Sequence, residues 1–191
     1  NEVVLDTPAG IVRTKAMVKD GKVESVTLTN VPAFVYLENQ TVTIDGKEIH
    51  FTISFGGSFF ALVDSEQLDI GPINAKTVPA YTTLGMKILK EVNEKIPVKH
   101  PELDIDTVDL VEFYGPTPNP DKADMRNVVI FGDAQADRSP CGDGFPVPGF
   151  FPPQLRYGKL RKRCDAVHAW TGKKGAACGY LRQGGGCRLW H

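Results

Sequence analysis

Hydrophobic and polar residues alternate along much of the first hundred residues, and this pattern predicts β-strands separated by tight turns. Two pairs of alternating runs each flank an Asp-Gly dipeptide, Asp20-Gly21 in the first pair and Asp45-Gly46 in the second. Asp-Gly between alternating runs is typical of a two-residue hairpin turn. The sequence therefore predicts two antiparallel hairpins, formed by residues 11–18 with 23–29 and by residues 41–44 with 48–53.

Short apolar runs farther along the chain predict buried strands at 59–63, 108–114 and 128–131. Gly56 and Gly57 interrupt the strand pattern before the first of these runs, so we expect a bulge or a close backbone approach there. A polar, turn-rich segment precedes the last run.

One segment carries apolar residues at helical spacing, with lysine and glutamate on the opposite side. The apolar positions are Tyr81, Leu84, Ile88, Leu89, Val92 and Ile96. Pro97 ends the predicted helix. Many strands, mostly antiparallel, with few helices predict the α+β class.

The charge of the chain is divided sharply at residue 142. Residues 1–142 contain 13 Lys and Arg against 21 Asp and Glu, whereas residues 143–191 contain 9 against 2. The second stretch is rich in Gly and Pro and holds three of the four cysteines. At 191 residues and 41% hydrophobic, the chain suffices for one globular domain. No run approaches the roughly 20 apolar residues of a membrane span, and we expect a cytoplasmic protein.

A reactive cysteine is predicted directly after the last apolar strand. Cys141 lies between a proline and a glycine, in Asp137-Arg138-Ser139-Pro140-Cys141-Gly142, a pattern typical of a loop that opens a helix. The N–H groups and dipole of a helix N-terminus favour the thiolate and can hold a small carboxylate. Taken alone, Cys141 also fits a buried structural cysteine.

Six segments in order resemble motifs of the proline racemase family, and the last of them matches that family's second cysteine motif. They are residues 5–10, 30–34, 55–61, 100–101, 114–120 and 127–142. The resemblance implies half of a diaminopimelate-epimerase-like, proline racemase-like α+β fold, in which a curved mixed sheet surrounds a central helix. Cys141 would lie at the N-terminus of such a helix.

The resemblance also implies the activity and its residues. Family members interconvert L- and D-amino acids without a cofactor or metal, passing the α-proton between two cysteines, and we expect them to be homodimers that bind no nucleic acid and no membrane. Cys141 matches one cysteine, Asp137 the aspartate at the substrate ammonium, and Phe131 the aromatic residue at the proline ring. Gly142 would donate a backbone N–H to the substrate carboxylate. Asp143 stands where the family has threonine, and its charge would oppose both that carboxylate and the thiolate.

We expect this polypeptide to be an inactive fragment, because the family's first cysteine precedes the segment that matches residues 5–10. We assign residues 1–142 to an incomplete racemase-like second domain and residues 143–191 to a divergent tail. With a suitable third base in the Gly144 codon, a one-base shift of frame would convert the codons of Asp143-Gly144-Phe145-Pro146 to Thr-Gly-Ser, the family's continuation. We hypothesise that much of the tail is translated out of frame, and the alternative is a diverged or spliced tail.

Several alternatives stay open on the sequence. A hydroxyproline epimerase would use the same paired cysteines, although Phe131 favours unsubstituted proline. The related 3-hydroxyproline dehydratases typically lack a cysteine at the position of Cys141. A non-catalytic relative that binds ligands or partners is the alternative from another class. Cys164, Cys178 and Cys187 are spaced too far apart for a tight zinc ligand pair, and His100 fits a structural role.

Overall fold

The computed structural model describes residues 2–121 and 125–137, together with the backbone of three later strands. In this described part, twelve strands and one α-helix occur. The strands of the first half are β1 (Glu2–Thr7), β2 (Gly10–Lys19), β3 (Lys22–Thr29), β4 (Phe34–Ile44), β5 (Lys47–Phe55) and β6 (Phe59–Asp64). Helix α1 (Val78–Lys95) follows, and the later strands are β7 (Val108–Gly115), β8 (Met125–Phe131), β9 (Gln135–Ala136), β10 (Lys162–Ala166), β11 (Ala177–Leu181) and β12 (Gly186–Leu189).

All these strands belong to one sheet, in the order β1-β2-β3-β12-β11-β10-β8-β7-β6-β5-β4, with β9 added beside β8. Neighbouring strands are antiparallel except for the pairs β6–β7 and β8–β10, so the sheet is mixed. The α+β class and the mixed sheet with a packed helix are confirmed. The predicted division at residue 142 stays a prediction, although strands β10 to β12 join the sheet between β8 and β3.

Both predicted Asp-Gly hairpins are confirmed. Asp20 and Gly21 have φ values of 49° and 73°, and Asp45 and Gly46 have values of 51° and 79°. Two successive residues in the left-handed region form the turn whose twist matches that of paired strands. Strand β4 begins earlier than predicted. Its pairing with β5 is irregular before Gln40, so the sequence there does not alternate regularly and was not recognised as a strand.

The glycines after Phe55 form a turn between two strands and not a bulge within one strand. Phe55 is paired with Phe59, and the Gly56 N–H donates to the Ser58 carbonyl over 3.1 Å. Gly57 has a φ of 121°, which is strongly disfavoured for side chains other than glycine. The predicted interruption of the strand pattern is confirmed, and it is a reversal of the chain between β5 and β6.

Helix α1 confirms the predicted amphipathic helix and packs against β4, β7 and β8. Four of the six predicted apolar positions are buried, Leu84 and Ile96 are half-buried, and Val78 and Gly85 are buried as well. A Cβ on Gly85 would lie 3.0 Å from the Cβ of Ile130, so this glycine allows α1 to approach β8 closely. The helix ends at Lys95, Ile96 caps it, and Pro97 comes next.

The sheet buries both of its faces around β6, β7 and β8. The face toward α1 carries the main hydrophobic core, which includes Phe59, Ala61, Val111 and Ile130. The opposite face, called the second face below, carries a separate buried cluster. This cluster is formed by Phe60, Leu62 and Val129, with Leu110 and Tyr114 packed against it. Two buried faces explain why these strands are continuously apolar instead of alternating.

The ribbon of strands β1 to β3 is much less buried. Its exposed apolar side chains are Val3, Val4, Leu5, Ile11, Met17, Val18 and Val23, each 45–58% exposed. No helix in the described part of the chain combines the length and apolar content that crossing a bilayer requires.

Candidate active site

The β8–β9 hairpin carries both described residues of the predicted substrate site. Phe131 ends β8, a three-residue turn follows, and Gln135 pairs back with Phe131. Asp137 comes directly after β9, and its N–H donates to the carbonyl of Val129 over 2.9 Å. The turn contains Gly132 and Ala134, with φ values of 53° and 60°. The hairpin therefore returns Asp137 alongside the strand that ends in Phe131.

The register of this hairpin decides which face each side chain occupies. Ile130 and Ala136 are paired, and both pack in the main core on the α1 side. Side chains alternate between faces along a strand, so Phe131 and Asp137 both lie on the second face. Val129, which lies beside Asp137, belongs to the second-face cluster. Both candidate residues are half-buried.

The predicted catalytic Cys141 and the neighbouring Gly142 and Asp143 lie outside the described residues. Their roles therefore stay predictions. Asp137 and Cys141 are only four positions apart in the sequence.

A buried polar pair lies on the second face, with Val129 between its carboxylate, Glu112, and Asp137. Glu112 is paired in register with Val129, and both Glu112 and Asn127 are 1% exposed. The amide Nδ2 of Asn127 donates to Oε1 of Glu112 over 2.6 Å. The sequence analysis did not single out Glu112, although a carboxylate within the apolar run of β7 was the available signal. This pair gives an otherwise apolar face a hydrogen-bonded centre.

Three of the resemblance motifs meet around Val31. A Cβ placed on Gly10 would lie 3.3 Å from Cγ1 of Val31, and one on Gly57 would lie 3.7 Å from Cγ2. Nδ2 of Asn30 donates to the Gly56 carbonyl over 2.9 Å. We call these residues the motif junction. It joins segments 5–10, 30–34 and 55–61, which are far apart in the sequence.

The motif junction and the β8–β9 hairpin lie at the same end of the sheet. The junction turn separates Phe55 from Phe59, which is paired with Val108 at the start of β7. Two residues along β7, Leu110 is paired with Phe131 at the end of β8. Segments 5–10, 30–34 and 55–61 therefore meet at the end that carries the candidate substrate residues, whereas segment 114–120 begins at the opposite end of β7.

His100 has the structural role predicted for it. Its Nδ1 accepts hydrogen bonds from the N–H groups of Glu102 and Leu103, over 3.1 and 3.0 Å. Its ring lies 4.5 Å from the ring of Phe55, measured between centroids. These contacts fix the loop that follows α1 beside the motif junction.

The opposite end of the sheet holds two tyrosines whose acidity is weakened. Burial raises the pKa of Tyr81, whose hydroxyl donates to the Gly71 carbonyl over 2.6 Å. Burial, assisted by the negative charge of Asp64, raises the pKa of Tyr114 well above its ordinary value. Both remain neutral at physiological pH, as structural tyrosines do. Across the described residues, no three His, Cys, Asp or Glu side chains form a metal-binding group.

Comparison with known proteins decides the family. A family model described as proline racemase matches residues 1–147. The chain belongs to the proline racemase family. The proline racemase of Acetoanaerobium sticklandii is 47% identical over 143 residues, which cover 73% of this chain and 42% of that protein.

Relatives with other activities match as well. The trans-3-hydroxy-L-proline dehydratase of Bacillus thuringiensis is 40% identical over 145 residues, which cover 74% of this chain and 42% of that protein. A crystal structure of a hydroxyproline epimerase from Agrobacterium vitis with bound trans-4-hydroxy-L-proline has a TM-score of 0.83 at 28% identity. That match covers 100% of this chain and 56% of the epimerase. The chain thus spans about half the length of its relatives, and membership in a racemase and epimerase family is its established property.

Proposed function

We propose that residues 1–142 form the second-cysteine half of a cofactor-independent amino-acid racemase that interconverts L- and D-proline. The polypeptide as given lacks a counterpart of the family's first cysteine, and we propose that it is inactive alone. Its partner is a small-molecule substrate, and its expected assembly in the intact protein is a homodimer.

The observation that carries this proposal is the position of Phe131 and Asp137 on one face of the β8–β9 hairpin. A half-buried carboxylate beside an aromatic ring suits an apolar ring that carries an ammonium group. Asp137 would hold the ammonium, and that contact would lower the energy of the carbanion formed at the adjacent carbon. Phe131 would pack against the methylene groups of the ring.

Cys141 would perform the proton transfer. In one direction its thiolate removes the α-proton, and in the other its thiol returns a proton to the same face of the carbanion. A thiol with a pKa near 8.5 suits both roles once a helix N-terminus lowers it. The opposite face needs the other cysteine, which explains the expected inactivity of this polypeptide alone.

Asp143 works against this chemistry. A carboxylate beside Cys141 raises the thiol pKa and repels the substrate carboxylate that the Gly142 N–H would hold. Replacement by the family's threonine should therefore strengthen both substrate binding and thiolate formation.

A hydroxyproline epimerase is the second candidate, supported by the structural similarity to the Agrobacterium vitis epimerase. The two candidate activities need different residues around the substrate ring. A ring hydroxyl needs a hydrogen-bonding neighbour, whereas Phe131 offers none. We therefore favour proline.

The direct test is a hybrid enzyme. Residues 1–142 replace the matched region of the Acetoanaerobium sticklandii racemase, which supplies the first cysteine and the sequence after Gly142. The hybrid is incubated with L-proline or trans-4-hydroxy-L-proline in heavy water, and loss of the α-proton is followed by NMR. We expect exchange with proline, faster than with hydroxyproline, and no conversion of L- to D-proline after Cys141→Ser, because a hydroxyl is far too weak an acid to serve.

Matched carboxylate variants test the substrate role. Asp137→Asn should reduce kcat/KM about 100-fold or more, the cost of losing one charge-stabilising contact in a catalytic site. Asp133→Asn, in the exposed turn of the same hairpin, should leave it unchanged. Full activity of the Cys141→Ser hybrid would refute the catalytic role, and a folded hybrid without any exchange would favour the non-catalytic alternative. The 191-residue polypeptide alone should show no exchange above the uncatalysed rate.

A further inference from the structure

The backbone places two cysteines of the tail directly opposite each other. Strands β10 and β11 are antiparallel, and Cys164 is the register partner of Cys178. The flanking pairs, Arg163 with Gly179 and Asp165 with Ala177, continue the same register. This juxtaposition is hidden in the sequence, where the two cysteines are 14 positions apart.

A directly opposed pair in an antiparallel ladder has the spacing that a disulfide requires. Its Cα atoms are about 4.5 or 5.5 Å apart, depending on whether the pair is hydrogen-bonded. Disulfide-bonded residues have Cα separations of about 4.4–6.8 Å, so both spacings suffice.

The third cysteine of the tail does not share this spacing. Cys187 is the register partner of Tyr180, two positions along β11 from Cys178. This diagonal relation corresponds to about 7–8 Å between Cα atoms, beyond the usual disulfide range. Cys187 therefore provides an internal control.

We propose that Cys164 and Cys178 form a reversible cross-strand disulfide that joins β10 to β11. The oxidant is a disulfide such as oxidised glutathione. One cysteine thiolate attacks it and releases reduced glutathione, and the second thiolate then displaces the other glutathione from the mixed disulfide. Two thiols are oxidised, one S–S bond of the oxidant is reduced, and two molecules of reduced glutathione leave with the two protons.

The position of this bond in the sheet gives it a consequence. Strands β10, β11 and β12 connect β8, which leads into the candidate site, to β3 of the exposed ribbon. Under oxidising conditions, a covalent link between β10 and β11 would reinforce one of the strand pairings that join these two parts of the sheet. Reduction would remove that reinforcement.

The test is disulfide mapping of the purified 191-residue chain, equilibrated in a glutathione redox buffer. Free thiols are alkylated, the chain is digested with trypsin without reduction, and the peptides are identified by mass spectrometry. Cleavage at the intervening lysines and arginines puts each tail cysteine in its own peptide. We expect the peptide pair of Cys164 and Cys178 to dominate, with Cys187 alkylated.

An unfolded chain should form a different main disulfide, so the experiment distinguishes pairing in the folded sheet from random pairing. Cys178 and Cys187 are 9 positions apart, so loop closure in a random chain favours their bond over Cys164–Cys178 by about twofold. Oxidation in concentrated urea should show this preference, and oxidation without urea should reverse it.

Two serine variants complete the design. Cys187→Ser should leave the Cys164–Cys178 bond unchanged, whereas Cys164→Ser should leave Cys178 alkylated. A dominant Cys178–Cys187 bond without urea, or three alkylated tail cysteines in an oxidising buffer, would overturn the proposal.

Discussion

Replacement of Gly10 by alanine tests whether the motif junction is as tightly constrained as its geometry indicates. Gly10 has a φ of 123°, which only glycine adopts at low energy, so alanine should cost about 1–3 kcal/mol in backbone strain. Its new Cβ would also lie 3.3 Å from Cγ1 of Val31, a buried side chain. Displacing a packed side chain typically costs about 1 kcal/mol or more. We therefore expect Gly10→Ala to lower the free energy of unfolding by about 2–4 kcal/mol.

Gly57 separates the two contributions. It has nearly the same φ, 121°, but its added Cβ would lie at an ordinary 3.7 Å from Val31. Gly57→Ala should therefore cost the strain alone, about 1–3 kcal/mol. Gly46→Ala is the control for a left-handed glycine in open space, because no atom lies within 4 Å of its added Cβ.

The assay is urea unfolding of the purified chain followed by circular dichroism, with each glycine variant also made in a Val31→Ala background. Removing the valine methyls relieves the contact at Gly10, so the double mutant should be more stable than the sum of the single effects by about 1 kcal/mol. The same cycle with Gly57 should give a coupling near zero. Equal couplings at the two glycines, or a fully stable Gly10→Ala variant, would refute the explanation.

Of three further predictions, two concern the end of the sheet opposite the motif junction, and one concerns helix α1. Gly115→Ala should destabilise the chain by about 1–3 kcal/mol in urea unfolding, because its Cβ would clash with Oγ of Ser65. Adding Ser65→Ala should recover part of that loss, and no recovery would contradict the contact. Tyr114 has a raised pKa in the folded state, so its contribution to stability is constant below the unfolded value near pH 10 and is lost as pH rises from there toward the folded value. Tyr114→Phe should make the unfolding free energy less dependent on pH above 10, and an unchanged slope would exclude this tyrosine as the cause. Asn93→Ala should lower the urea midpoint, because Asn93 accepts a hydrogen bond from the N–H of Val108 and donates one to its carbonyl. Losing both bonds costs about 1–3 kcal/mol. An unchanged midpoint would show that water replaces the amide.

The sequence pattern predicted the elements whose signals are local. Asp20-Gly21 and Asp45-Gly46 specify their hairpins through two successive left-handed residues, and the stripe of α1 specifies a helix through its own period. Strand β4 was underestimated because irregular pairing breaks the two-residue period that identifies a strand. The turn at Gly57 was recognised as an interruption, but two glycines signal a bulge and a reversal equally well.

The sequence identified the site residues that lie close together along the chain, but not how they are arranged in space. Phe131 and Asp137 were chosen by resemblance, and nothing local indicates their shared face, because Ala134 is an unusual residue in a left-handed turn position. The convergence of Gly10, Val31 and Gly57 depends on long-range packing that no period encodes. Glu112 had a local signal as a carboxylate within an apolar run, but its pairing with Asn127 on another strand had none.

The three-residue turn of the β8–β9 hairpin constrains how this region can change by insertion and deletion. If the turn keeps its three residues and one residue is inserted between Phe131 and Asp137, the register of β9 against β8 shifts by one residue and Asp137 moves to the face occupied by α1. An insertion of two residues would instead preserve the face and shift the carboxylate along the strand. Length variation that keeps this turn should therefore occur in steps of two wherever the carboxylate is needed.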